Sequence, residues 1–140
     1  MKNKLTKGET MKKQKIISAM AAVMVMVILS VTPALAEYQK ETPSYSGQKV
    51  TCVLNCEFSL IGNDRGNAST SWNGKKKHKV RVMLFSCPNA VKPYKIMDDK
   101  TGEKSASVSG SKKGVWRFKS QHYVVNASSN RTNVCVITDW

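Results

Sequence analysis

The sequence predicts an all-β protein: a small antiparallel β-sandwich of about six to eight short strands, braced by two disulfides and preceded by a helical signal peptide. Three observations carry this. Beyond residue 48 apolar residues recur with period two and not with the spacing of a helix. Turn formers interrupt them about every eight to twelve residues. All four cysteines follow an export signal, where thiols meet oxidising conditions.

In chain order, Lys2 to Lys15 supplies positive charge, Ile16 to Val31 is an apolar run broken only by Ser18 and Ser30, and Pro33 and Ala34-Leu35-Ala36 follow. A basic start, an apolar middle and small residues at an A-x-A site make a secretory signal peptide over residues 1–36, cleaved after Ala36. Met11 opens an ordinary signal of its own, so either Met1 or Met11 serves as the start. The apolar run is short of the ~20 residues that span a bilayer, so no transmembrane segment is expected after cleavage and the mature protein is secreted and extracellular. What remains, residues 37–140, is long enough for one domain around one core. Residues 37–48, with Pro43, Ser44, Ser46 and Gly47, lack an apolar period and read as a flexible N-terminal arm. The β-sandwich domain then spans 49–140.

Its first strand is Val50 to Leu60, in which Val50, Cys52, Leu54, Cys56, Phe58 and Leu60 share one side. On one extended strand Cys52 and Cys56 lie about 13 Å apart, beyond the ~7 Å Cα limit for a disulfide. Cys87 and Cys135 are therefore their partners, either as Cys52–Cys87 with Cys56–Cys135 or as Cys52–Cys135 with Cys56–Cys87. A four-cysteine zinc site presents close pairs, and Cys87 and Cys135 are isolated, so no metal and no cofactor is expected.

Ile61 to Gly66 reads as a turn and Asn67 to Trp72 as a second strand. Asn73-Gly74 has the signature of a type I′ hairpin turn. Val80, Val82 and Leu84 mark a third strand that runs to Cys87 and stops at Pro88. Ala90 to Met97 reads as an edge strand, Asp98 to Gly102 as a turn, Glu103 to Ser109 as a strand and Gly110 to Gly114 as a turn. Trp116, Phe118 and Ser120 share a face of the next strand, which continues to Val125. Thr132 to Asp139 closes the domain.

The leader contains six of the 23 Lys and Arg and one of the nine acids, leaving 17 against eight, or +9. A surface this basic attracts polyanions, which outside a cell are chiefly anionic envelope polymers, acidic lipid headgroups and stray nucleic acid; composition does not choose among them, and no specific nucleic-acid partner is expected. The densest charge is Lys75, Lys76, Lys77, Lys79 and Arg81, expected on a hairpin tip, with Lys112 and Lys113 on another turn as a second cationic point. Trp116 reads as core and Trp140 as the exposed aromatic. His78 stands in a charge run and His122 in a strand. With no G-x-S-x-G, no H-E-x-x-H and no thiol left once the bridges form, no catalytic residue is assigned and the protein is read as a non-enzyme.

The succession Asn67 to Trp72, His78 to Leu84, Ser105 to Ser109, Ser120 to Val125 and Thr138 resembles small exported Ser/Thr-rich β-sandwich proteins of Gram-positive bacteria. Thr101-Gly102, Gly114-Val115-Trp116 and Trp140 resemble, more distantly, the lactococcin-like bacteriocins, a family without these cysteines. The resemblance implies a β-sandwich, export and, through the second family, antibacterial action. The expected function is envelope binding through basic turns, with a bacteriocin-like effector as one form of it. The alternative is a structural or adhesive module whose charge is incidental.

Overall fold

The computed structural model describes residues 35–76 and 78–139. The signal peptide expected over residues 1–36 lies outside these residues apart from Leu35 and Ala36, as do Lys77 and Trp140. Nine strands follow in order: β1 Leu35–Glu41, β2 Ser44–Tyr45, β3 Gln48–Phe58, β4 Asp64–Trp72, β5 Lys79–Cys87, β6 Lys95–Glu103, β7 Ser105–Lys112, β8 Arg117–Val125 and β9 Arg131–Thr138. One sheet has the order β1-β3-β4-β7, with β2 also on β3, and the other β6-β5-β8-β9; every pairing is antiparallel. The all-β, two-sheet architecture read from the sequence is therefore present.

The alternation that predicts the strands also builds the core. Val50, Cys52, Leu54 and Cys56 of β3, Ala68 and Trp72 of β4, Val80, Val82 and Leu84 of β5, and Phe118 and Val124 of β8 are all buried between the sheets. Gly66 lies directly under Phe118, where a Cβ would come within 2.7 Å of the ring. Leu60, assigned to the inner face, lies past the end of β3 and is 77% exposed.

Four expectations need correction. The supposed flexible arm is β1 and β2, paired with β3 along Leu35↔Phe58 to Glu41↔Cys52 and Ser44↔Lys49. It lacks an apolar period because an edge strand has little to bury. Asn73-Gly74 is not a hairpin turn: β4 and β5 belong to different sheets, and neither residue has positive φ. Gly74 is instead the place where the Trp72 indole folds back against the backbone, so close that a Cβ would collide with the ring. Asp98 to Gly102 is strand, not turn: its backbone pairs with β5 from Leu84↔Asp98 to Val80↔Gly102, and Arg81 reaches diagonally to Asp99, with Nε to Oδ1 at 2.7 Å. Trp116 is not core; it precedes β8 and is 46% exposed.

The strand directions define two rims. The near rim gathers residues 46–47, 73–76, 78, 103–105 and 126–130; the far rim gathers 59–63, 88–94 and 113–116.

Candidate functional site

The predicted basic residues do not form one patch. Lys75, Lys76 and Lys79 lie on the near rim, exposed. Lys112 pairs with Asp64 at the opposite end of β4, putting it and Lys113 a full strand away, about 30 Å at ~3.3 Å per residue. Arg81 sits mid-strand on the outer face, committed to Asp99, which raises its own pKa and lowers that of the carboxyl through their mutual hydrogen bonds.

The near rim is shaped by backbone chemistry. Trp72 Nε1 donates to the Lys76 carbonyl at 2.7 Å, pinning residues 73–76 over the core edge. At the β6–β7 corner Lys104 adopts φ 64°, an unusual conformation for a lysine. Its carbonyl accepts from Trp72 N at 2.7 Å and its N–H donates to the His78 carbonyl at 3.3 Å, so it bridges the end of β4 and the start of β5. In the β8–β9 turn Asn126 Oδ1 accepts the N–H groups of Ser128 and Asn130, each at 3.0 Å, and Ser129 has φ 63°.

These turns enclose a cleft of about 320 Å³ lined by His78, Lys79, Glu103, Lys104, Val125, Asn126, Ala127 and Ser129. A smaller one, about 190 Å³, lies on the other side of His78 against Ser46, Trp72, Lys75 and Lys76. The His78 ring stands edge-on to Trp72 at 5.1 Å and to Tyr45 at 5.9 Å, and its Nδ1 is buried with no hydrogen-bond partner. Among the described residues the three non-glycine positions of positive φ are Ser46, Lys104 and Ser129, and all three line these two clefts. Sequence reasoning missed Lys104, Asn126 and Ser129, because a lone Lys or Ser between strands carries no signal beyond a turn.

On the outer face of β8 a second cationic group is held by aromatics. Arg117 lies 4.3 Å over Trp116, and Lys119 lies 4.4 Å from Tyr94 and 5.0 Å from Phe85. Such contacts are worth about 0.5–1 kcal/mol when exposed, and they fix both charges in place.

Two interior groups complete the inventory. His122 is fully buried, its Nδ1 2.7 Å from Thr70 Oγ1 and its Nε2 2.8 Å from Ser120 Oγ. A neutral imidazole offers one donor and one acceptor, so two hydroxyls satisfy it completely. Burial pushes its pKa down to about 4. All three side chains are sealed from solvent, so the group is a cross-sheet link with no opening for a substrate.

All four cysteines are thiols, no two at bonding distance. Cys52 pairs with Thr70 in one sheet and Cys135 with His122 in the other, and since Thr70 touches His122 the two thiols meet across the core at the same level. Cys56 lies instead beside Asp139, and Cys87 Sγ donates to the Asn89 and Lys92 carbonyls at 2.7 and 3.0 Å. Compared with protein-family models, curated protein sequences and solved structures, the chain gives no match, so its function has to be read from this geometry.

Proposed function

We propose that the protein is a secreted, non-enzymatic binding protein of the cell envelope whose basic turns contact anionic wall or lipid groups, with a bacteriocin-like effector as one form of that role. One observation carries the reading. None of the described lysines and arginines is buried, whereas Asp64 and Asp139 are buried and Asp99 is occupied by Arg81. Two of the eight acids beyond residue 36 are taken into the fold while the described cations stay outside, so the surface is more basic than the composition. Asp64 illustrates the withdrawal: its two oxygens accept Ser59 N at 2.9 Å and Val115 N at 2.7 Å, closing two far-rim turns.

Retention on isolated envelopes tests this. Exposed charge contacts act over ~30 Å at 0.01 M salt and only ~8 Å at physiological ionic strength. Retention is expected to collapse across that range, and a variant carrying Lys75→Ser, Lys76→Ser and Lys79→Ser is expected to elute at lower salt. Retention indifferent to salt supports the structural or adhesive module instead.

Bracing belongs to the same reading, reduced from the two disulfides expected to one, Cys52–Cys135, since Cys56 lies beside Asp139 and Cys87 against the Asn89 and Lys92 carbonyls. The two thiols would pass their hydrogens to a disulfide oxidant such as glutathione disulfide, which leaves as two thiols. The bridge closes a loop of roughly 80 residues and stabilises by about 4 kcal/mol on chain-entropy grounds. Peptide mapping after oxidative refolding is expected to find Cys52 linked to Cys135, with Cys56 and Cys87 alkylated as thiols once unfolded. A bridge from Cys52 to any other cysteine contradicts the pairing.

A further inference from the structure

We propose that the larger near-rim cleft is a specific site for a phosphate carried on a polyol, such as one unit of a phosphodiester-linked polyol polymer or a glycerophosphate headgroup. This deepens the polyanion reading and rests on it.

The donor set selects the ligand. Lys79, Lys104 and Ser129 line one cleft, so two ammonium groups and a hydroxyl are within reach of a ligand held in it. Asn126 has its Oδ1 engaged by two backbone N–H groups, which leaves its Nδ2 to donate outward. His78 also lines the cleft, and its Nδ1 is buried without a partner, a costly state for a polar atom unless something completes it. That is more donor capacity than a carboxylate's two oxygens use well, and it suits the three or more oxygens of a phosphate. Glu103 is the one carboxylate in the lining. Beside an anion it would repel, but next to a hydroxyl it accepts a hydrogen bond, so it matches the polyol and not the phosphate. The volume of about 320 Å³ lies at the low end of small-molecule sites, roughly 300–1,000 Å³, which fits one repeat unit.

The cleft is also preorganised. Lys104 is held from both sides by Trp72 N and the His78 carbonyl, and its left-handed conformation, like that of Ser129, is imposed by those turns. Strained backbone of this kind costs free energy and persists where the surroundings over-determine it.

Calorimetric titration of the secreted domain with sn-glycerol 3-phosphate, inorganic phosphate and glycerol tests the assignment at physiological salt. Glycerol phosphate is expected to saturate one site and to bind more tightly than inorganic phosphate, with glycerol alone inert. Lys104→Asn, which tolerates the left-handed conformation, and Lys79→Gln are each expected to weaken binding about tenfold, the value of one charge-assisted hydrogen bond. Lys95→Gln, on the far rim, is expected to leave it unchanged. Absence of saturable binding, equal affinity for inorganic phosphate, or an unaltered Lys104→Asn variant overturns the site. If salt-sensitive envelope retention persists while glycerol phosphate fails, the cleft assignment falls and the broader reading stands; if both fail, both fall. Vesicles of phosphatidylglycerol run beside a soluble glycerol phosphate polymer separate the two natural sources of the same group.

Discussion

His122 and Asp139 are two buried titratable residues whose responses to pH oppose each other. Burial lowers the His122 pKa from 6.5 to about 4, so the unfolded chain takes the proton first. Its contribution to stability is intact above 6.5 and is lost as pH falls towards 4. Burial raises the Asp139 carboxyl from 3.8 to about 6, against the Phe118 N–H that favours the charged form. The folded protein then holds a proton that the unfolded chain releases, so Asp139 contributes stability below 3.8 that is lost as pH rises through about 6. Across pH 4 to 6 the two slopes oppose each other. Asp139→Asn removes one of them, and its melting temperature is expected to climb as pH is raised from 4 to 6.5; a flat or falling profile contradicts the burial of His122 as a neutral ring. From sequence, His122 was legible only as an in-phase residue of a strand. Its two hydroxyl partners sit two residues away on β8 and on a strand of the opposite sheet, and the second of these is invisible to any local pattern.

At the level of elements, the inner strands were legible and the corners were not. β3, β5 and β8 announce themselves because each alternates between a buried and an open face, and that alternation is what their burial consists of. β1 and β6 are edges with little apolar content, so their pairing is decided by backbone hydrogen bonds that sequence does not encode strongly. The β6–β7 corner shows what fills the gap. A Cβ on Gly102 would collide with the Ser105 carbonyl, which is backbone and cannot swing away, while at Gly110 it would meet the flexible Met97 side chain. Gly102→Ala is therefore expected to cost about 1–3 kcal/mol, and Gly110→Ala clearly less. Equal losses in chemical denaturation would mean that the corner is looser than described. The same corner carries Lys104, so Gly102→Ala is also expected to weaken any ligand held by that ammonium.

For the whole molecule, the sandwich places its loops in two groups at opposite ends, and this arrangement separates charges that the sequence lists together. Lys75, Lys76 and Lys79 stand on the rim with the cleft, Lys112 and Lys113 on the other, and Arg81 is spent on Asp99. Charge clustering along the chain singles out Lys75, Lys76 and Lys79, which stand exposed on the near rim, though not on a hairpin tip. It could not show that Lys104, Asn126 and Ser129 join it from two other turns, since that depends on which strands end together. The central claim is that anionic ligands are taken at this rim. An amide shift map of the isotopically labelled domain, titrated with isolated anionic wall polymer, tests it most directly. Shifts gathered at His78, Lys79, Lys104, Asn126 and Ser129 are predicted; shifts confined to Lys112, Lys113 and Trp116, or no shifts at saturating polymer, would contradict it.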